Sequence, residues 1–171
     1  MSQPTMANLR KQFSKIYDQY INKIYRFIFL KVSSQEVAED LTSEVFIRGW
    51  DSFRQGADIK NIQAFLYQIA RNLVIDHYRQ KSQVKTISAE FVQMVDPRLN
   101  LEEKAKIDSE LDQVKFALSN INEDYQEVII WRYLDQLSIS EIAEILDKSE
   151  GAVRVALHRG LKELRNKLNT D

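Results

Sequence analysis

Between Ser138 and Leu168 two amphipathic helical patterns stand only three residues apart, and few folds can accommodate such a pair. Ser138-Ile-Ser-Glu141 has the form of a capping box, with a serine to start the helix and a glutamate three residues on to close it. Behind it Ile142, Ala143, Ile145 and Leu146 make a short apolar stripe. Asp147-Lys148-Ser149 forms the turn, where Asp tolerates left-handed backbone and Ser149 is placed to cap the next helix. In that helix Val153, Leu157, Leu161, Leu164 and Leu168 recur at steps of three and four. Two stripes joined so tightly can be buried together if the helices cross steeply, with small Ala143 letting them touch. That geometry is a helix-turn-helix.

The rest of the chain is patterned in the same way. Leu9, Phe13, Ile16, Tyr17, Tyr20, Ile24, Phe27 and Ile28 predict a first helix ending near Lys31. Ser33 and Glu36 predict a capping box for a second helix with an inner stripe of Val37, Leu41, Val45, Phe46, Trp50 and Phe53. A loop at 55–58 leads into a third, with Ile62, Phe65, Leu66, Ile69 and Leu73 inward. Four Gly and two Pro are too few for a fold of short, turn-rich strands. Periodicity fades from Ser82 to Asn100, around Asp96-Pro97, and resumes by Leu101, running through Leu111, Val114 and Leu118. After a break at 120–122 it continues at Val128, Trp131, Tyr133 and Leu134. The expectation is an all-α protein of two small helical domains, residues 1–81 and 101–171, joined by a linker at 82–100.

A net charge of −1 hides a strong segregation. Glu36, Glu39, Asp40, Glu44 and Asp51 are opposed by Arg48 alone over 33–51. Arg71, Arg79, Lys81 and Lys85 outweigh Asp76 over 68–85, and Arg154, Arg159, Lys162, Arg165 and Lys167 outweigh Glu150 and Glu163 over 150–168. Two basic patches point to two contacts with a polyanion, and the acidic one to a protein partner. On the last helix Arg154, Val155, His158, Arg159, Lys162 and Arg165 lie opposite the apolar stripe, where a major-groove reader needs them. Arg pairs with a guanine edge, His158 donates to a base or phosphate, and Val155 meets a thymine methyl. The alternative is a helical hairpin with a solvated basic side.

Other classes are poorly served. His77 and His158 are the only histidines, and no His–carboxylate cluster has ligand spacing, so no metal, cofactor or enzyme is implied. With no cysteine there are no disulfides or thiolate sites, as suits a cytoplasmic protein. The longest apolar run, near Ile24 to Leu30, is interrupted by Arg26, so no membrane insertion is expected; the N-terminus does not read as a secretory signal.

The residues from Leu134 to Leu161, which hold the helix-turn-helix, resemble the promoter −35-reading domain of bacterial RNA polymerase sigma factors. The segment Ala38-Glu-Asp-Leu-Thr-Ser-Glu-Val-Phe-Ile-Arg-Gly-Trp50 resembles the helix with which these factors grip the polymerase clamp. Phe65-Leu-Tyr-Gln-Ile-Ala-Arg-Asn-Leu-Val-Ile-Asp-His-Tyr-Arg79 is similar to their helix that opens and reads the −10 element. Two domains, a linker and little else is the plan of the extracytoplasmic-function subfamily.

The resemblance implies a transcription initiation factor with core RNA polymerase, promoter DNA and an anti-sigma factor as partners. It implies −35 contacts from Ser149, Arg154, Val155, His158, Arg159, Lys162 and Arg165. Gln68, Arg71, Asn72, Ile75 and Arg79 share one face of the third helix and would hold a separated strand, with Asn72 suited to a flipped base. The 55–61 loop lies where the family builds its flipped-base pocket, whereas Tyr67 and Tyr78 read as packing residues. Asp40, Ser43, Glu44 and Ile47 would face the polymerase. Asn122 stands where many relatives have Pro, and Ala156 where a polar residue is common. The other functional class left open is a stand-alone helix-turn-helix regulator that binds DNA unaided.

Overall fold

The structure is a computed structural model that describes residues 4–32, 34–87 and 116–170. Most of the expected linker and the helical resumption from Leu101 to Val114 lie outside the described residues. Among the described residues all regular structure is helical: α1 (Met6–Val32), α2 (Gln35–Arg54), α3 (Ile62–Ile87), α4 (Glu123–Ile129), α5 (Ile139–Leu146) and α6 (Glu150–Leu168). Helix α3 runs past residue 81, into the stretch expected to be linker.

Helices α1 to α3 pack as a bundle around Phe13, Ile24, Phe27, Ile28, Val45, Phe46, Leu66 and Leu73. Removing such side chains from water contributes about 1.5–3 kcal/mol apiece. The buried line on α2 differs from the expected one: Ala38, Thr42, Val45, Phe46 and Gly49 are buried, while Val37, Leu41, Trp50 and Phe53 flank them half-buried. On α3, Ala64 and Ala70 join Leu66, Tyr67, Leu73 and Val74 inside, with Ile62, Phe65 and Ile69 at the margin. Small residues occupy the line where the axes come nearest, and larger ones close over the sides. At Gly49 a Cβ would come within 3.0 Å of Leu66 Cδ2.

The cap of α2 is Ser34 rather than Ser33, which lies outside the described residues. Ser34 Oγ accepts from the Val37 N–H, and its carbonyl accepts the first helical bond, from Ala38 N–H at 2.9 Å. With Val37 three residues on, no capping box forms there. Adjacent serines offer equivalent caps, and Ala38 and Thr42 lie on the inner line of the helix. Gly56, at φ +76, turns the chain toward α3, and Asn61 Oδ1 accepts from the Ala64 N–H at 3.0 Å to cap that helix.

In the C-terminal half Asn122 caps α4, accepting from the Asp124 N–H at 2.9 Å. The helix then widens into a π turn over Ile130–Leu134, closed by the Asp135 N–H reaching Ile130 O at 3.1 Å. Tyr133 and Leu134, expected to continue the apolar pattern, are exposed on this turn, while Asp135 swings inward and is buried. The capping box is present: Ser138 Oγ accepts from the Glu141 N–H, and Glu141 Oε2 accepts from the Ser138 N–H. Asp147 takes the left-handed conformation at φ 51, ψ 48, and the Lys148 N–H closes on Ala143 O at 3.0 Å. Gly160 is buried where α6 crosses α4, and a Cβ there would lie 2.9 Å from Tyr125 Cβ.

The two halves share a core. Trp131 is fully buried, stacked on Phe27 at 5.2 Å between ring centroids and edge-on to Tyr67 at 5.7 Å. No described helix is long and apolar enough to cross a membrane.

Candidate nucleic-acid interface

Helix α6 begins at a well-formed cap: Ser149 Oγ accepts from the Ala152 N–H at 3.1 Å, which leaves its hydroxyl proton available to a ligand. Val153, Leu157 and Gly160 are buried, Ala156, Leu161 and Leu164 half-buried, and Leu168, expected inside, is exposed at the end of the helix. At 100° per residue, Arg154, Val155, His158, Arg159, Lys162 and Arg165 fall within a roughly 140° arc on the opposite side. All six are exposed. Glu150 Oε2 accepts from Arg154 at 3.1 Å, an exposed pair that water and salt can exchange for a phosphate. Steadied by α5 and α4, this arc is a rigid basic ridge with one apolar spot, Val155, near its start. It can enter a major groove and present donors to base edges and phosphates.

The α3 face is not free along its whole length, as the sequence reading had it. Asn72 and Arg79 are exposed, and Ile75 is half-buried. Gln68 and Arg71 are engaged by the C-terminal half instead. Gln68 Nε2 donates to the carbonyls of Glu144 and Ile145 at 3.4 and 3.3 Å. Arg71 Nε donates to buried Glu127 Oε2 at 2.9 Å, with Asp124 Oδ1 3.8 Å from its Nη2. Just before the helix, Asn61 Nδ2 donates to Glu144 Oε2 at 3.0 Å. Helical periodicity counts residues on a face but says nothing about what another part of the chain lays across it.

Tyr67 is packed, as expected, and its hydroxyl donates to Asp135 Oδ2 at 2.6 Å. Burial, and then the Asp135 charge, push that phenol far above its ordinary range. Arg26 pairs with the other Asp135 oxygen. Lys31 is buried, with its Nζ 3.3 Å from Gln126 Oε1 and 3.9 Å from Glu127 Oε1. Desolvation lowers the Lys31 ammonium and raises the Glu127 carboxyl, so neither charge fully recovers its hydration in this pair. Tyr78 is partly exposed and donates to the Lys31 carbonyl.

The sequence reading missed this polar seam of Arg26, Lys31, Gln126, Glu127 and Asp135. A signal was present, because Lys31 continues the spacing of Ile24, Phe27 and Ile28, and Asp135 that of Val128 and Trp131. Charges that stay in register with a buried stripe are candidates for a buried partner.

On α2, Asp40, Ser43 and Ile47 are exposed, Ile47 to 56%, and Glu44 is half-exposed in a 2.7 Å pair with Arg48. They form an outward strip with an acidic edge and an apolar tip.

Comparison with known proteins supplies the family. The profile for sigma-70 region 2 matches residues 16–84, and that for sigma-70 region 4 matches residues 111–164. The chain is 34% identical over 170 residues to the ECF RNA polymerase sigma factor SigW of Bacillus subtilis, covering 91% of this chain and 88% of that protein. It is 31% identical over 162 residues to SigX of the same organism, covering 92% and 84%. It is also 34% identical over 168 residues to BldN of Streptomyces coelicolor, covering 93% of this chain but 61% of that longer protein. The fold is similar to that of the sigma factor RpoE solved with the anti-sigma factor NepR from Bartonella quintana, with a TM-score of 0.74 at 21% identity over 94% of this chain and 99% of that one. Matched to both sigma-70 regions in order, and to SigW over nearly its whole length, the chain belongs to the ECF sigma factors, the transcription initiation factors that direct RNA polymerase to promoters.

Proposed function

We propose that this sigma factor divides promoter recognition between two surfaces, one in residues 1–81 and the other in residues 101–171. In this reading Ser149, Arg154, Val155, His158 and Arg159 of α6 meet −35 base edges, while Lys162 and Arg165 hold phosphates farther along. On α3, Gln68, Arg71, Ile75 and Arg79 hold the opened −10 strand, and Asn72 reads a flipped base with its paired donor and acceptor. The strip of Asp40, Ser43, Glu44 and Ile47 docks on core polymerase, which spaces the two readers on the promoter. The protein works in the cytoplasm, and an anti-sigma factor restrains it.

The observation that carries this reading is the exposed basic arc of α6, set on a capped and tightly packed helix. Reconstituted holoenzyme on a cognate promoter tests it. Arg159→Ala should cost roughly 1–3 kcal/mol and relax preference at one or two −35 positions. Lys162→Ala should weaken binding to all sequences alike and lower the salt slope by about one. Equal loss on every sequence from both variants would remove Arg159 from base reading. A stand-alone regulator would instead protect the promoter without polymerase.

A further inference from the structure

Glu150 opens α6 beside the basic arc, where an acid works against any approach to phosphates. Two local effects favour it in the free protein. It sits at the positive end of the helix dipole, and its Oε2 accepts from Arg154 Nη2, one turn on, at 3.1 Å. At 100° per residue Glu150 lies about 40° from Arg154, so the pair occupies the rim of the arc, and Gly151 falls between Arg154 and Val155 at its centre. A Cβ on Gly151 would meet Ser149 Oγ at 3.9 Å and nothing nearer. The first turn of the arc is therefore bare, and a groove floor can come close enough for carboxylate and guanidinium to enter it together.

We propose that Glu150 is a positioning residue for −35 recognition, whose carboxylate turns Arg154 from a phosphate binder into a base reader. The proposal rests on the −35 role given to α6 above. A phosphate attracts an arginine chiefly through its charge, which the carboxylate cancels. A guanine edge takes paired donors, and the guanidinium keeps its remaining N–H groups for that use. In open water the pair is weak and exchanges readily. Inside the groove water is displaced, and giving Arg154 to a phosphate strands the carboxylate, without a partner, beside other phosphates. A guanine lets Arg154 serve the base and Glu150 at once. Non-cognate complexes thus carry a cost that the cognate one avoids, which is discrimination by penalty rather than by added attraction.

Glu150→Gln removes the charge and keeps the length of the side chain. The two side chains are 49% and 63% exposed, so neither this change nor Arg154→Ala disturbs the core. Holoenzyme is reconstituted with the full chain as parent, Glu150→Gln, Arg154→Ala and the double variant. Its affinity is read over a salt series for duplex promoters carrying the cognate −35 element or single-base substitutions through it. On the substituted sequences Glu150→Gln should bind more tightly than the parent and gain one phosphate contact. Its affinity there should fall about 3.5-fold further than the parent's between about 50 mM and about 200 mM salt. On the cognate element it should change little, so preference for the base that Arg154 reads should drop by the factor gained elsewhere. In the Arg154→Ala background the same change should leave base preference as it was.

Equal tightening by Glu150→Gln on cognate and substituted elements would make Glu150 a source of plain repulsion and overturn the proposal. Unchanged binding, or a loss of preference that persists without Arg154, would overturn it too. Arg154→Ala by itself tests the underlying reading. If it alters no base preference, that reading of Arg154 falls and the proposal with it. If it erases a preference that Glu150→Gln leaves intact, the reading stands and the role of Glu150 alone is refuted.

Discussion

Two glycines in α6 should respond to the same substitution with opposite signs. At Gly160 a built Cβ lies 2.9 Å from Tyr125 Cβ and 3.0 Å from Ile129 Cδ1. Comfortable carbon–carbon separations are about 3.5–4.0 Å, so the shortfall is roughly half an ångström to one ångström. The Ile129 methyl can rotate aside, but Tyr125 Cβ is fixed to the backbone of α4. Helices α4 and α6 would have to part. Overpacking of this kind costs about 1–3 kcal/mol, against a helix-propensity gain of about 1 kcal/mol for Ala over Gly. The clash wins, and Gly160→Ala should destabilise by about 1 kcal/mol, or about 2–4 °C in Tm for a chain of this size. At Gly151 the nearest atom to a built Cβ is Ser149 Oγ at 3.9 Å, an ordinary contact. There the entropy term acts alone, and Gly151→Ala should stabilise by about 0.5 kcal/mol. Urea denaturation followed by far-ultraviolet circular dichroism, with slopes compared between variants, measures both. If Gly160→Ala matches or exceeds the stability of Gly151→Ala, the close crossing of α4 and α6 is not what selects glycine at that position.

Reversing charge at Asp40 and Glu44 together should weaken assembly with core polymerase while leaving the thermal transition within about 0.5 kcal/mol, because both side chains reach solvent; undiminished holoenzyme formation in a pull-down would exclude this strip as the docking face. Acidification should favour the wild type over Glu127→Gln. Burial raises the Glu127 carboxyl above 4.5, and Lys31 and Arg71 offset this only in part. The folded chain then binds that proton more tightly than the unfolded one, so its contribution is fully present below pH 4.5 and is lost as pH rises through the higher folded value. The stability difference, measured by urea melts at pH 7 and pH 5, should move toward the wild type at the lower pH. Drift the other way would mean that Lys31 and Arg71 hold the carboxylate ionised.

Much of this protein is decided within a few residues of chain. Ser138 with Glu141, Asp147 and Ser149 act on their immediate neighbours, so the helix-turn-helix and its basic arc could be read directly: hydrogen bonds from a cap to the third residue on, and a 100° step per residue, involve no distant partner. The outward strip on α2 is legible for the same reason. Local rules blur where two structures are locally equivalent, as at Ser33 and Ser34. They also favour large apolar residues as the core, whereas helix axes approach most closely over small ones, so Ala64, Ala70 and Gly49 came into view only once the bundle was assembled. The seam lies beyond local rules altogether. Whether Arg71 faces water, a phosphate or Glu127 depends on residues 56 positions away, and Asp135 lies 68 residues from the Tyr67 hydroxyl that bonds to it. Periodicity gives the direction of a side chain from its own helix axis. What occupies that direction is settled by how the two halves pack, because the energy of a buried charge is set by its partner and by the water it has lost.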